Sequence, residues 1–242
     1  MRLLPAGGDR YVLVNTAAQR LYMYEGGRVV DWMRVVVGKP TQPTPMLAAM
    51  IRYTAVNPYW NVPDDLVGER IAPNVVKVGL SYLKEKGYVV LSSWDDDATP
   101  IDPSTVDWKA VAAGTAQVRV RQDPGSANAM GQMKFMFPNR DGVYLHDTPQ
   151  KELLAGESRM HSAGCVRLED APRLAKWLYG RPLTVAKGGK PEEHVDLDRP
   201  VPVYLAYLTA VPNGDETVFY DDVYGRDRAR LAVLESARVA AR

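Results

Sequence analysis

Met160-His161-Ser162-Ala163-Gly164-Cys165-Val166-Arg167-Leu168 carries the single cysteine of a 242-residue chain. Upstream of it lies a second compact run, Tyr144-Leu145-His146-Asp147-Thr148-Pro149. A lone cysteine forms no intramolecular disulfide, so it serves either as a small buried hydrophobe or as a nucleophile. Burial is the commoner use of a free cysteine, and only its neighbours move the reading toward reactivity. A thiol with a pKa of about 8.5 is a few per cent ionised at neutral pH, so catalysis needs a base or a positive neighbour. His146 follows a strand pattern and precedes a turn, which seats its ring on a rigid sheet edge. Gly164 allows a second group or a substrate carbonyl to come close to the backbone. Arg167 shares a face with Cys165 if the segment is extended. The amides around Cys165, and the positive end of the helix expected at Glu169–Tyr179, are placed to face the sulfur as an oxyanion hole.

Each of these residues also has a plainer use. His146 fits a turn cap, Arg167 a structural ion pair, and His161 a surface or supporting role. His194, among Glu192, Glu193 and Asp196, reads as surface. One cysteine and three scattered histidines lack the spacing of a zinc site, so neither a metal nor a cofactor is expected.

Outward from this centre the chain reads as mixed but strand-dominated. Arg10–Asn15, Arg20–Glu25 and Arg28–Gly38 are strand candidates, with Glu25-Gly26-Gly27-Arg28 as a hairpin turn. Lys39–Pro45 is loop, and Met50–Val56 is a further strand ending at Asn57-Pro58. Asn74–Lys86 is expected as one helix with Val75, Val78 and Tyr82 on a face and Gly87 as its stop. From there to about Gly131, acids, prolines and glycines mark an excursion read as an insertion or lid. Gln132–Phe137 and Gly142–His146 resume the strand pattern around a Pro138–Gly142 turn. Thr148–Ala155 and Glu169–Tyr179 read as helices. Val201–Ala210 and Glu216–Tyr220 read as a hairpin about Pro212-Asn213-Gly214-Asp215, and Arg226–Arg242 as the solvated face of a terminal helix.

Apolar content of 46%, charged content of 24% and a net charge of +1 describe a chain able to bury a core. They offer nothing toward nucleic acid or an acidic membrane surface. No apolar run approaches the roughly 20 residues of a bilayer span, and Met1–Gly8 lacks the apolar region of a signal peptide.

On His146, then Ser162-Ala163-Gly164-Cys165 and Arg167, the chain resembles the L,D-transpeptidase (YkuD-type) catalytic domain. Flanking runs are similar to the YcbB-like branch: Phe135-Met136-Phe137-Pro138-Asn139, Asn57-Pro58-Tyr59-Trp60-Asn61-Val62-Pro63, Pro202-Val203-Tyr204, and Asp222-Val223-Tyr224-Gly225-Arg226-Asp227. The resemblance covers nearly all of residues 1–242 and implies a β-sandwich with Cys and His at one end and a few helices. It equates 83–130 with the branch's capping subdomain. It implies that Cys165 attacks a peptidoglycan tetrapeptide stem between diaminopimelate and the terminal D-Ala. The acyl-enzyme then passes to an amine of a second stem as a 3→3 cross-link. His146 would be the base, oriented by a backbone carbonyl near Asp147. Tyr144, Ser162, Arg167 and Trp60 would shape the site and hold the donor, and the Gly164 and Cys165 amides would hold the oxyanion. Carbapenems are the implied inhibitors, and the periplasm the implied location, with this chain the catalytic portion of a longer protein or a short relative. Ala163 departs from the family, most of which carries a second His there; His161 is a possible partial substitute.

Three rival readings remain: a hydrolase of the L,D-carboxypeptidase type, a wall-binding module impaired by Ala163, and a papain- or sortase-like enzyme. The His-before-Cys order opposes the papain type, and no Thr-Leu-x-Thr-Cys strand supports a sortase.

Overall fold

The computed structural model describes residues 10–95, 97–186 and 188–240. The Met1–Gly8 stretch, Asp96 of the acidic run and the final Ala241-Arg242 lie outside the described residues. The strands are β1 (Arg10–Asn15), β2 (Arg20–Glu25), β3 (Arg28–Gly38), β4 (Leu47–Val56), β5 (Trp60–Val62), β6 (Tyr88–Leu91), β7 (Arg119–Gln122), β8 (Met133–Met136), β9 (Leu145–His146), β10 (Met160–Ser162), β11 (Val166–Leu168), β12 (Glu193–Ala206), β13 (Ala210–Asn213) and β14 (Glu216–Phe219). Strand makes up 36% of the structure against 23% helix, the β-dominated class expected.

Nine strands form one sheet in the order β10-β3-β11-β9-β8-β4-β12-β1-β2. Strand β3 closes it. Its first part pairs with β2, from Arg28↔Glu25 to Arg34↔Arg20, and its opposite edge pairs with β11 at Val36↔Arg167 and Val35↔Leu168. Closure removes most of the free edge that an open sheet would expose. The two-residue side-chain period turns Val12, Val14, Leu21, Met23, Met33, Val35, Phe135, Leu145, Val166 and Leu168 inward, each at most 1% exposed.

The helix Ala171–Tyr179 drops Ala171, Leu174, Ala175 and Leu178 into that core, the stripe of an amphipathic helix. Asp170 starts it by accepting the Arg173 N–H, and Gly180 ends it. Burying Leu174 and Leu178 contributes about 1.5–3 kcal/mol each.

A second, smaller core sits on the sheet β5-β7-β6. It gathers Val62, Leu66, Val67, Ile71, Val75, Leu83, Val90, Trp108, Val111 and Val120. This second core, hereafter the lid, takes in residues from Trp60 onward, upstream of the 83–130 stretch that the resemblance equates with a capping subdomain, because the apolar face of Asp64–Val78 packs into it. The expected single helix Asn74–Lys86 is two, Ala72–Val78 and Ser81–Lys86. Gly79, at φ 94° and ψ −179°, breaks the helix between them and leaves Val78 55% exposed.

Three further boundaries differ. Gly142–His146 narrows to β9, and Thr148–Ala155 contributes only a 3-10 turn, Lys151–Leu154. The strand expected at Val201–Ala210 is instead the end of the long β12, and the closing hairpin is β13–β14. Among the described residues no helix is long and apolar enough to cross a membrane.

Candidate active site

Strand β9 lies between β8 and β11, and its register builds the site. Lys134 pairs with His146 across the antiparallel β8–β9 ladder, and Arg167 pairs with His146 across the parallel β9–β11 ladder. Paired residues share a face, so Lys134, His146 and Arg167 project together. The alternation along each strand adds Tyr144 and Cys165 to that face. The intervening Leu145 and Val166 point into the core and are fully buried. The apolar alternation that folds the sheet thus delivers thiol, imidazole and guanidinium to one surface.

That surface opens into a cavity of about 270 Å³ between the main sheet and the lid. Cys165, His146, Tyr144, Ser162 and Arg167 line it from the sheet, Trp60 and Arg70 from the lid.

The turn that presents the thiol is pinned from three sides. Ser162 Oγ donates to the Cys165 carbonyl at 2.6 Å and accepts the Gly164 N–H at 3.1 Å. Thr44 Oγ1 donates to the Gly164 carbonyl at 2.8 Å and itself accepts the Gly38 N–H. Gly164 adopts φ 119°, a conformation closed to most side chains. Ser162 therefore acts on the loop that holds Cys165. Two expectations change here. The Gly164 N–H is taken by Ser162, so it does not serve an oxyanion. The helix Ala171–Tyr179 does not aim its positive end at the sulfur: β11 intervenes, about 10 Å of extended chain, and Asp170 caps the helix.

The thiol and the imidazole rest uncharged. Burial pushes the Cys165 thiol up, against the opposing pull of the Tyr144 backbone N–H, Arg167 and Lys134. His146 is buried at 1% exposure. Burial, followed by the Arg167 charge, pushes its pKa down to about 3. Its Nδ1 sits 2.5 Å from the Asp147 carbonyl oxygen. A carbonyl only accepts, so Nδ1 carries the proton and Nε2 keeps its lone pair. Such an imidazole is a base in waiting, and the surrounding cations favour a thiolate once it forms.

The Asp147 carboxylate turns away from this cavity. It accepts the Lys151 ammonium at 2.7 Å and the Gln132 N–H at 3.0 Å, which holds the turn whose carbonyl orients His146. Arg167 Nη1 donates to Gln150 Oε1 at 2.8 Å and forms no ion pair among the described residues. Ala163 lines the cavity and packs against the lid core. His161 is exposed and bonds the Ser158 carbonyl, outside the cavity lining. His194 is exposed on β12, beside Tyr53 and Glu192.

Sequence reading missed Lys134 and Arg70. Lys134 is the polar member of the alternating run Met133–Met136, and that alternation was a usable signal. Its ammonium lies 2.9 Å from Glu192 and over the Tyr144 ring. Arg70 enters the site only because the lid folds over it, and no local pattern announces that.

A sheet-end thiol, a neutral imidazole held by a backbone carbonyl and a cleft under the lid are the chemical parts this site offers, and acyl transfer is a reaction such parts can carry. The chain matches the model of the YkuD family, the L,D-transpeptidase catalytic domain, over residues 9–203, and it belongs to that family, whose reaction is an acyl transfer. A Haemophilus influenzae protein named "Putative L,D-transpeptidase" is 33% identical over 224 residues, covering 90% of this chain. The chain spans 44% of that relative's length. Solved structures with some likeness include the E. faecium L,D-transpeptidase catalytic domain acylated by ertapenem, at 17% identity and TM-score 0.41, covering 84% of this chain and 100% of that one. Another is an L,D-transpeptidase from Mycobacterium smegmatis, at 16% identity and TM-score 0.38, covering 83% and 59% respectively.

Proposed function

We propose that this chain forms 3→3 cross-links in peptidoglycan through a thioester on Cys165. The carrying observation is the shared face of Cys165 and His146, with His146 neutral and its Nδ1–H committed to the Asp147 carbonyl. His146 Nε2 takes the thiol proton as Sγ attacks the carbonyl joining diaminopimelate to the terminal D-Ala. The new C–S bond leaves an oxyanion, for which the Cys165 backbone N–H, together with the Tyr144 N–H that already bonds the sulfur, is the proposed donor set. As the oxyanion collapses, the C–N bond breaks, and the imidazolium hands its proton to the departing D-Ala amine. The side-chain amine of a second stem then attacks the thioester and gives a proton to His146, and the thiol leaves. Positioning and oxyanion stabilisation supply most of the rate in such a scheme.

Peptidoglycan lies outside the cytoplasmic membrane, so this reaction is assigned to that compartment. The lid and the flanking motifs support the YcbB-like branch. Carbapenems, whose strained lactam carbonyl is open to a thiolate, are the proposed inhibitors. Incubation with a disaccharide-tetrapeptide, with products read by mass spectrometry, tests the proposal. Cross-linked dimer with release of D-Ala is expected. Tripeptide alone would make the protein a hydrolase, and unchanged substrate would leave a binding module.

A further inference from the structure

Arg70 comes from the lid, on a wide helical turn, Val67–Ile71, in which the Ala72 N–H donates to the Val67 carbonyl five residues back. Such π-type turns concentrate at functional sites. Val67 and Ile71 anchor the turn in the lid core, while Leu66 and Arg70, one turn apart, face the cavity. Across the cavity stands Arg167, whose side chain, among the described residues, is hydrogen-bonded to the Gln150 amide oxygen and has a buried Nε without a partner. Burial and the charge of Arg70 both act against the charge on Arg167. Asp65 and Asp141 also line the cavity but are exposed, and neither pairs with Arg70 or Arg167 among the described residues. Glu152 offsets part of this from a distance, but two like charges facing one cavity with no acid paired to either among the described residues repel, and an anion placed there would relieve both.

We propose that Arg70 and Arg167 form a clamp for the terminal carboxylate of the residue that leaves the donor stem, and that Arg70 sets the requirement for a free carboxylate there. This rests on the transpeptidase reading of the site. That carboxylate sits on the Cα next to the scissile nitrogen. A group so close to the attacked carbonyl stays near Cys165, and Arg167 is two residues further along the same face. Lid and sheet would then meet through the substrate, so that a stem extended or masked at this end loses the contact.

The test uses Cys165→Ala, which binds without turnover, titrated by calorimetry with a tetrapeptide stem and with its terminal carboxamide. The free acid is expected to bind about tenfold to a hundredfold tighter, the range of a charge-assisted hydrogen bond. Adding Arg70→Ala should bring acid and amide to equal affinity, and Arg70→Lys should keep part of the preference. Circular dichroism and the affinity for the amide, unchanged across these variants, separate loss of the clamp from loss of the lid. Equal binding of acid and amide by Cys165→Ala, or a preference that survives Arg70→Ala, overturns the proposal. A stem amidated instead at the diaminopimelate side-chain carboxylate is expected to bind like the unmodified acid; loss of affinity there would move the clamp to that carboxylate and overturn this assignment. A preserved preference alongside a wild-type protein that turns nothing over would sink the reaction and leave the subsite standing.

Discussion

His146 is the base of the proposed reaction, and its burial makes a thermodynamic claim. Its folded pKa of about 3 lies well below its ordinary value of 6.5. Above pH 6.5 both folded and unfolded chains hold it neutral, and its contribution to stability is fully present. Below that the unfolded chain takes a proton that the folded one refuses, so stability is lost as pH falls from 6.5 toward about 3. His146→Gln should therefore flatten the fall in urea midpoint between pH 7 and pH 4. An equally steep fall in the variant would show that the ring is not held neutral. Cys165 and Arg167 were legible as sharing a face because alternation within a strand gives that directly; His146 was joined to them by the motif resemblance, and the β9–β11 register that sets it beside them is in neither strand's own sequence. That the Gly164 N–H is withdrawn from the cavity was not legible, because one serine side chain decides where it points. Ala163 reads as a lesion in the sequence, yet in the structure it is an apolar contact between the nucleophile loop and the lid.

Among the elements, the helix Ala171–Tyr179 shows how local signals and packing agree. Asp170 at its start, Gly180 at its end and an apolar stripe between them were all readable. Leu174 is fully buried under the sheet. Leu174→Ala should lower unfolding free energy by about 2–5 kcal/mol, the range for a leucine removed from a core; a loss under about 1 kcal/mol in a denaturant titration would contradict the packing described. The helix expected at Asn74–Lys86 failed for a physical reason. Its period is helical, but the turn at Gly79 lets both halves reach the same lid core. The ends of β9 and β12 were likewise set by their partners: ladder hydrogen bonds, which a single strand's sequence does not contain, decide where pairing stops.

For the whole molecule, the sheet closed through β3 holds one apolar core, and the lid holds another. The β class and the early hairpin were legible; the closure was not, since it depends on β3 pairing on both edges with strands far apart in sequence. Two cores imply two degrees of local stability. Ile71→Ala, in the lid core at 1% exposure, should speed hydrogen exchange of amides in β6 and β7 while leaving β1 and β12 protected. Uniform acceleration would make the two cores one cooperative unit. The lid roofs the cleft in which the thiol stands, so the fold's largest-scale feature bears on the reaction proposed for its smallest. That reaction is tested most directly by intact-protein mass spectrometry after rapid mixing with a tetrapeptide stem and quenching in acid. The account predicts a species heavier by the stem less its terminal D-Ala, mapped by peptide analysis to Cys165 and absent from Cys165→Ala. Turnover with no adduct on Cys165, or turnover undiminished in Cys165→Ala, would contradict it.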